Sequence, residues 1–98
     1  MKGYIKVKLK TGYFAKTEYS LRIGKDGLCF VPLRGEGEKI VIAAADIKNV
    51  TLNEPKLKME MQAAGGLYVV DIADTAGFQK TLQALKENIA AKIVCEMN

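Results

Sequence analysis

The chain has no histidine and no tryptophan, and only two cysteines and two prolines among 98 residues. Without histidine the commonest general base and metal ligand is missing. Cys29 and Cys95 therefore have no imidazole to activate a thiolate, and two cysteines alone cannot complete a structural zinc site of the usual four-ligand kind. These gaps argue against an enzyme and imply no metal and no cofactor. With so few cysteines, free, buried and reduced thiols are expected rather than a disulfide, as in a cytosolic protein. Long apolar runs are also missing. The longest uncharged one, Ile40 to Ala45, is far short of the roughly 20 residues that span a bilayer. The opening Met1-Lys2-Gly3-Tyr4-Ile5-Lys6 has no apolar signal-peptide core, so the expected location is cytoplasmic.

What is present suits one globular domain. Hydrophobic residues make up 49% and charged residues 27%, a balance that buries a core and does not favour disorder. No linker, internal repeat or low-complexity tract divides residues 1–98. Negative charge is scarce at one end. Residues 1–25 carry Lys2, Lys6, Lys8, Lys10, Lys16, Arg22 and Lys25 against Glu18 alone, so seven minus one gives +6 there, while the whole chain is only +4.

Alternation with period two marks most of the chain as strands. In Tyr4 to Lys10, Ile5, Val7 and Leu9 alternate with Lys6, Lys8 and Lys10. One face is apolar. The other is a row of ammonium groups about 7 Å apart, given a rise of about 3.3 Å per residue. Such a row either meets an anionic surface or protects an edge strand from pairing. Residues 13–18 fit a strand extension or a loop, with Tyr13 and Phe14 adjacent. Tyr19, Leu21 and Ile23 form a second strand, Gly24-Lys25-Asp26-Gly27 a turn with glycines available for positive φ, and Leu28 to Val31 a third strand that Pro32 closes. Gly35 and Gly37 belong to a polar loop and lack the spacing of a phosphate-binding fingerprint.

A fourth strand spans Lys39 to Ala43, followed by a tight Ala44-Ala45-Asp46 connection in which Asp46 is a candidate to hold the turn by a side-chain hydrogen bond. A fifth follows at Ile47 to Leu52. Asn53-Glu54-Pro55 turns into a sixth with Leu57, Met59 and Met61 on one face. A seventh places Tyr68, Val70 and Ile72 together. Then the period changes. Phe78, Leu82, Leu85, Ile89 and Ile93 recur at helical spacing, which predicts one amphipathic helix over residues 74–94, capped by Asp74 or Thr75. Short strands in series and one terminal helix predict a mainly β fold: seven antiparallel strands in a barrel or sandwich, capped by the helix.

The stretch Leu21-Arg22-Ile23-Gly24-Lys25-Asp26-Gly27-Leu28-Cys29-Phe30-Val31-Pro32, then Ile40-Val41-Ile42-Ala43-Ala44-Ala45-Asp46-Ile47-Lys48-Asn49-Val50, then the helix with Phe78 and Leu82, resembles pleckstrin-homology-like domains of the bacterial or GRAM type. The likeness spans most of the chain as hydrophobic and turn patterning. It implies a seven-stranded, partly opened barrel with one end plugged by the helix. Many such domains bind phosphoinositides through basic residues of the first two strands, and many others bind proteins or scaffold assemblies. Lys10 stands where the lipid-binding pattern has its first-strand lysine and Arg22 fits its arginine. Ser20 stands where the pattern has another basic residue. A PilZ-type barrel is not supported, because Arg22 and Arg34 are the only arginines and no arginine-x-x-x-arginine exists.

Two functions of different class follow. The first is a binding or scaffolding module for a protein partner or a second copy, using the Lys6/Lys8/Lys10 edge and a small-residue helix face of Ala84, Ala90, Ala91 and Val94. The second is a peripheral binder of anionic membrane lipid or a phospho-ligand through Lys6, Lys8, Lys10, Lys16, Arg22 and Lys25. Nucleic acid is disfavoured as a partner, since only Tyr4, Tyr13 and Phe14 offer rings beside the basic stripe.

Overall fold

The computed structural model describes residues 5–10, 16–33 and 38–96, and for Lys16 the backbone only. The expectations attached to Tyr4, Tyr13, Phe14, Gly35 and Gly37 lie outside the described residues.

Eight strands and one helix follow in chain order. They are β1 (Ile5–Lys10), β2 (Lys16–Gly24), β3 (Gly27–Pro32), β4 (Ile40–Ala43), β5 (Ile47–Asn53), β6 (Lys58–Ala63), β7 (Gly66–Ile72), α1 (Thr75–Asn88) and β8 (Lys92–Glu96), with a 3-10 turn at Ala44–Asp46 between β4 and β5. All eight strands belong to one sheet in the order β4-β3-β2-β1-β7-β6-β5-β8. Each neighbouring pair is antiparallel except β5–β8, which is parallel. The mainly β fold with one helix is as expected. The seven-stranded antiparallel barrel or sandwich is not: among the described residues the sheet is mixed, has eight strands, and is open, with β4 and β8 as its edges.

The reason lies at the end of the predicted helix. The helix stops at Asn88, whose side-chain amide donates to the Ala84 carbonyl at 2.9 Å. Ile89 is extended, with φ −114° and ψ 127°. Its side chain is buried in the core without needing another helical turn. Lys92 to Glu96 then lies along the edge of β5, pairing Asn49 with Lys92 through Asn53 with Glu96. Ile93 and Val94 are β-branched and suit a strand, and the pairing satisfies backbone groups of β5 that would otherwise form an edge. Spacings of four and of two both place Ile89 and Ile93 on one side, so helical periodicity alone does not separate the two outcomes.

Sequence dictates the sheet's curl as well. β4 and β5 are joined by only three residues, which span at most about 11 Å. Yet β4 is the first strand of the sheet and β5 the seventh. The sheet must bend round until its two ends are near, and the core fills the inside of the bend. Alternation does the sorting: Ile5, Val7, Leu9, Leu21, Leu28, Phe30, Val50, Leu52, Met59, Met61 and Val70 all turn inward and are buried. Helix α1 contacts β1, β2 and β7 across this concave side. It buries Phe78, Thr81 and Leu85, while Leu82 is half-buried. Thr81 is tolerated there because its hydroxyl donates to the Gly77 carbonyl at 2.8 Å. Asp74 caps the helix, its Oδ1 accepting from the Gly77 N–H at 2.7 Å.

The β2–β3 hairpin has a two-residue turn, Lys25–Asp26, between paired Gly24 and Gly27. Gly27 has φ +135°. A Cβ there would collide with the Ile42 carbonyl oxygen and the Ala44 nitrogen, so glycine is what lets β4 approach β3. The expected side-chain bond of Asp46 is not what ties the turn down: its backbone carbonyl accepts from the Ala64 N–H, just beyond β6, at 2.9 Å.

Candidate functional site

Strand β1 presents Lys6, Lys8 and Lys10 outward, each exposed, as the alternation predicts. It is not an edge strand. β1 lies in the middle of the sheet, paired with β2 on one side and β7 on the other. Its lysines therefore do not protect an edge, and no Lys6/Lys8/Lys10 edge exists for a partner to use.

Cross-strand register fixes what surrounds them, since directly opposed residues share a face. Lys8 is opposite Glu18 on β2 and Asp71 on β7, and Asp71 is opposite Lys58 on β6. The rung across four strands therefore reads Glu18, Lys8, Asp71, Lys58, alternating in sign. Lys6 Nζ lies 4.0 Å from Glu18 Oε2, with the carboxylate side chain only 26% exposed. Carboxylates thus stand among the predicted cations. Lys10 is opposite Lys16 at one end of the β1–β2 pair, whereas Arg22 is opposite Cys29 and Lys25 occupies the turn beyond the other end of β2. From Lys16 to Lys25 is about 30 Å of strand at about 3.3 Å per residue. The candidate positions are thus strung along the β1–β2 pair and the turn beyond it, and do not converge on one rim.

Two shallow depressions flank Lys6. One, of about 260 Å³, is lined by Lys6, Val7, Lys8, Asp71, Ile72 and Ala73. Asp71 stands in it against any anion. The other, of about 290 Å³, reaches the start of α1 with Lys6, Lys80 and Asp74. There the Asp74 carboxylate already occupies the first-turn amide that an anion would seek. No group of three or more histidine, cysteine, aspartate and glutamate side chains among the described residues is arranged to hold a metal.

The open edges offer more. In the β3–β4 ladder the Ala44 N–H donates to the Asp26 carbonyl at 2.8 Å. By antiparallel alternation Ile40 and Ile42 bond to β3, and Val41 and Ala43 direct their N–H and C=O groups to the free side. The Val41 side chain is 66% exposed on the convex face. Val31 and Leu33, each 37% exposed, extend an apolar surface from it, with half-buried Cys29 directly opposite Val41. The other edge, β8, exposes Lys92, Val94, Cys95 and Glu96. The expected small-residue helix face does not form: Ala84 is on α1, Ala90 and Ala91 lie between elements, and Val94 is on β8. Both cysteines are free, and Cys95 is exposed rather than buried.

The alternation of Ile40 and Ile42 with Val41 already signalled an outward valine. Nothing local signalled that Asp71 would flank Lys8, because β1 and β7 pair across some sixty residues of sequence. None of the described helices is long and apolar enough to cross a membrane. No protein-family model matches the chain, and no curated protein matches it in sequence.

Proposed function

We propose that the chain is a non-enzymatic, cytoplasmic interaction module of pleckstrin-homology-like type, and that its partner is a protein engaged at the β4 edge. The order of the first seven strands, β4-β3-β2-β1-β7-β6-β5, with a helix after β7 supports the likeness. The observation that carries the functional reading is the open β4 edge with its apolar convex surface. Among the described residues no strand pairs with the outer side of Val41 and Ala43, and Val41, Val31 and Leu33 offer apolar side chains there. An extended segment adding an antiparallel strand gains both, with an apolar side chain packed beside Val41. β4 itself carries no charged residue and so lacks the usual deterrent to added strands.

The sign-alternating rung through Lys8 argues against the other reading, an anionic membrane lipid or phospho-ligand held by Lys6, Lys8, Lys10, Lys16, Arg22 and Lys25. Attraction to an anionic surface is about 1 kcal/mol per nearby lysine, and each interleaved carboxylate opposes it.

The test is a paired comparison. Proteins captured from cell extract by the wild type and lost with Val41→Lys are the expected result, together with no salt-sensitive co-sedimentation with anionic vesicles. Vesicle binding that is lost on Lys6→Glu, Lys8→Glu and Lys10→Glu in a folded variant, with capture indifferent to Val41→Lys, would transfer the function to the basic face.

A further inference from the structure

The opposite edge of the sheet carries a second surface, and it is complementary to itself. β8 reads Lys92-Ile93-Val94-Cys95-Glu96. Among the described residues it is paired on one side only, by β5. The Glu96 carbonyl accepts from the Glu54 N–H at 3.1 Å, so Glu96 directs its backbone toward β5. Alternation then points Val94 and Lys92 the same way, and leaves the N–H and C=O groups of Ile93 and Cys95 facing the open edge.

We propose that two copies of this chain pair antiparallel through β8, about a two-fold axis at Val94. In that register Ile93 of each copy opposes Cys95 of the other, and these are the residues whose backbone groups face the edge. Four hydrogen bonds close between them. Val94, 39% exposed in the single chain, meets Val94 of the second copy. Lys92 meets Glu96 of the second copy, and Glu96 meets its Lys92. Moving the register by one step of two residues sets Lys92 or Glu96 against Val94 and loses both charge pairs. The charges that deter other strands from this edge thus select one partner, a copy in one register. The surface is distinct from the β4 edge, which stays open at both ends of the joined sheet, so the dimer and the protein-binding reading stand or fall separately.

The experiment is sedimentation equilibrium across a wide range of protein concentration, on the folded full chain. Wild type is expected to shift from monomer to dimer as concentration rises. Lys92→Glu alone and Glu96→Lys alone each place like charges together twice per dimer, and each is expected to weaken dimerisation by about tenfold or more. The double swap, Lys92→Glu with Glu96→Lys, restores the pairing and is expected to recover most of that loss. In a background of Cys29→Ser and Cys95→Ser, Val94→Cys is expected to form a disulfide between copies on mild oxidation, because opposed residues at such a pair lie within disulfide reach. A wild type that stays monomeric throughout overturns the proposal. So does a dimer indifferent to the single reversals, or a double swap no better than either single one. Val41-dependent protein capture, measured on the same variants, is expected to be unchanged.

Discussion

The two edges of the sheet differ in the way that decides what each can bind. β4 has four residues and no charge, with its valine pointing out. β8 has five residues, with a lysine at one end and a glutamate at the other. Both leave two residues' worth of backbone groups to an incoming strand. On the proposed reading the uncharged edge selects by apolar side chains, because β4 offers no charge to a partner strand. The charged edge selects by position, since only a strand with opposite charges at the matching places avoids repulsion. If both proposals hold, one open sheet carries two interfaces of different breadth.

Breaking the β4 edge itself has the largest expected effect. Gly27→Ala drives a Cβ into the Ile42 carbonyl oxygen and Ala44 nitrogen, and neither backbone atom can yield without moving β4. A loss of about 3 kcal/mol or more in chemical denaturation is expected, along with loss of Val41-dependent capture. Gly66 is the control. It has φ +130° at the matching place of the β6–β7 hairpin, but a Cβ there meets open space. Gly66→Ala should cost only the backbone strain, about 1–3 kcal/mol and less than Gly27→Ala. Equal losses at the two glycines would mean that contact with β4 is not what Gly27 serves.

On the other side, Ile93→Ala removes the half-buried side chain that holds β8 against Val50 on β5. About 1–2 kcal/mol is expected from lost burial, and dimerisation should weaken with it. A neutral result in thermal melting would detach β8 from the core's stability.

Between the edges, Lys8→Glu places three carboxylates in a row with Glu18 and Asp71. A loss of about 1 kcal/mol is expected, smaller at high salt. A stabilised variant would show that Lys8 is not held by its acidic neighbours. The smallest effect belongs to Val41→Lys. It should change stability by less than about 0.5 kcal/mol, since the side chain is already in water, and so isolates binding from folding.

Much of the fold was legible in the sequence because strand alternation is local. Lys6, Lys8 and Lys10 are outward as the period of two requires, and a strand forms in each of the seven expected places, although the sixth begins only at Lys58, with Leu57 in the preceding turn at φ +52°. The eighth was not legible. Ile89 and Ile93 satisfy a helix and a strand alike, and the choice between them depends on β5 having a free edge forty residues earlier. The site was legible in half. The cations could be read one by one, but the placing of Asp71 beside Lys8 comes from the long-range pairing of β1 with β7. The open edges follow from the same source: the sequence alone suggested closure, and only the strand order leaves β4 and β8 unpaired on one side.

The most direct test of a protein-binding edge against a lipid-binding face is photo-crosslinking in living cells. A photoreactive residue would be introduced at position 41 in one variant and at position 8 in another. The account predicts protein adducts of discrete mass from position 41 and none from position 8. Adducts from position 8, to lipid or to protein, with none from position 41, would contradict it.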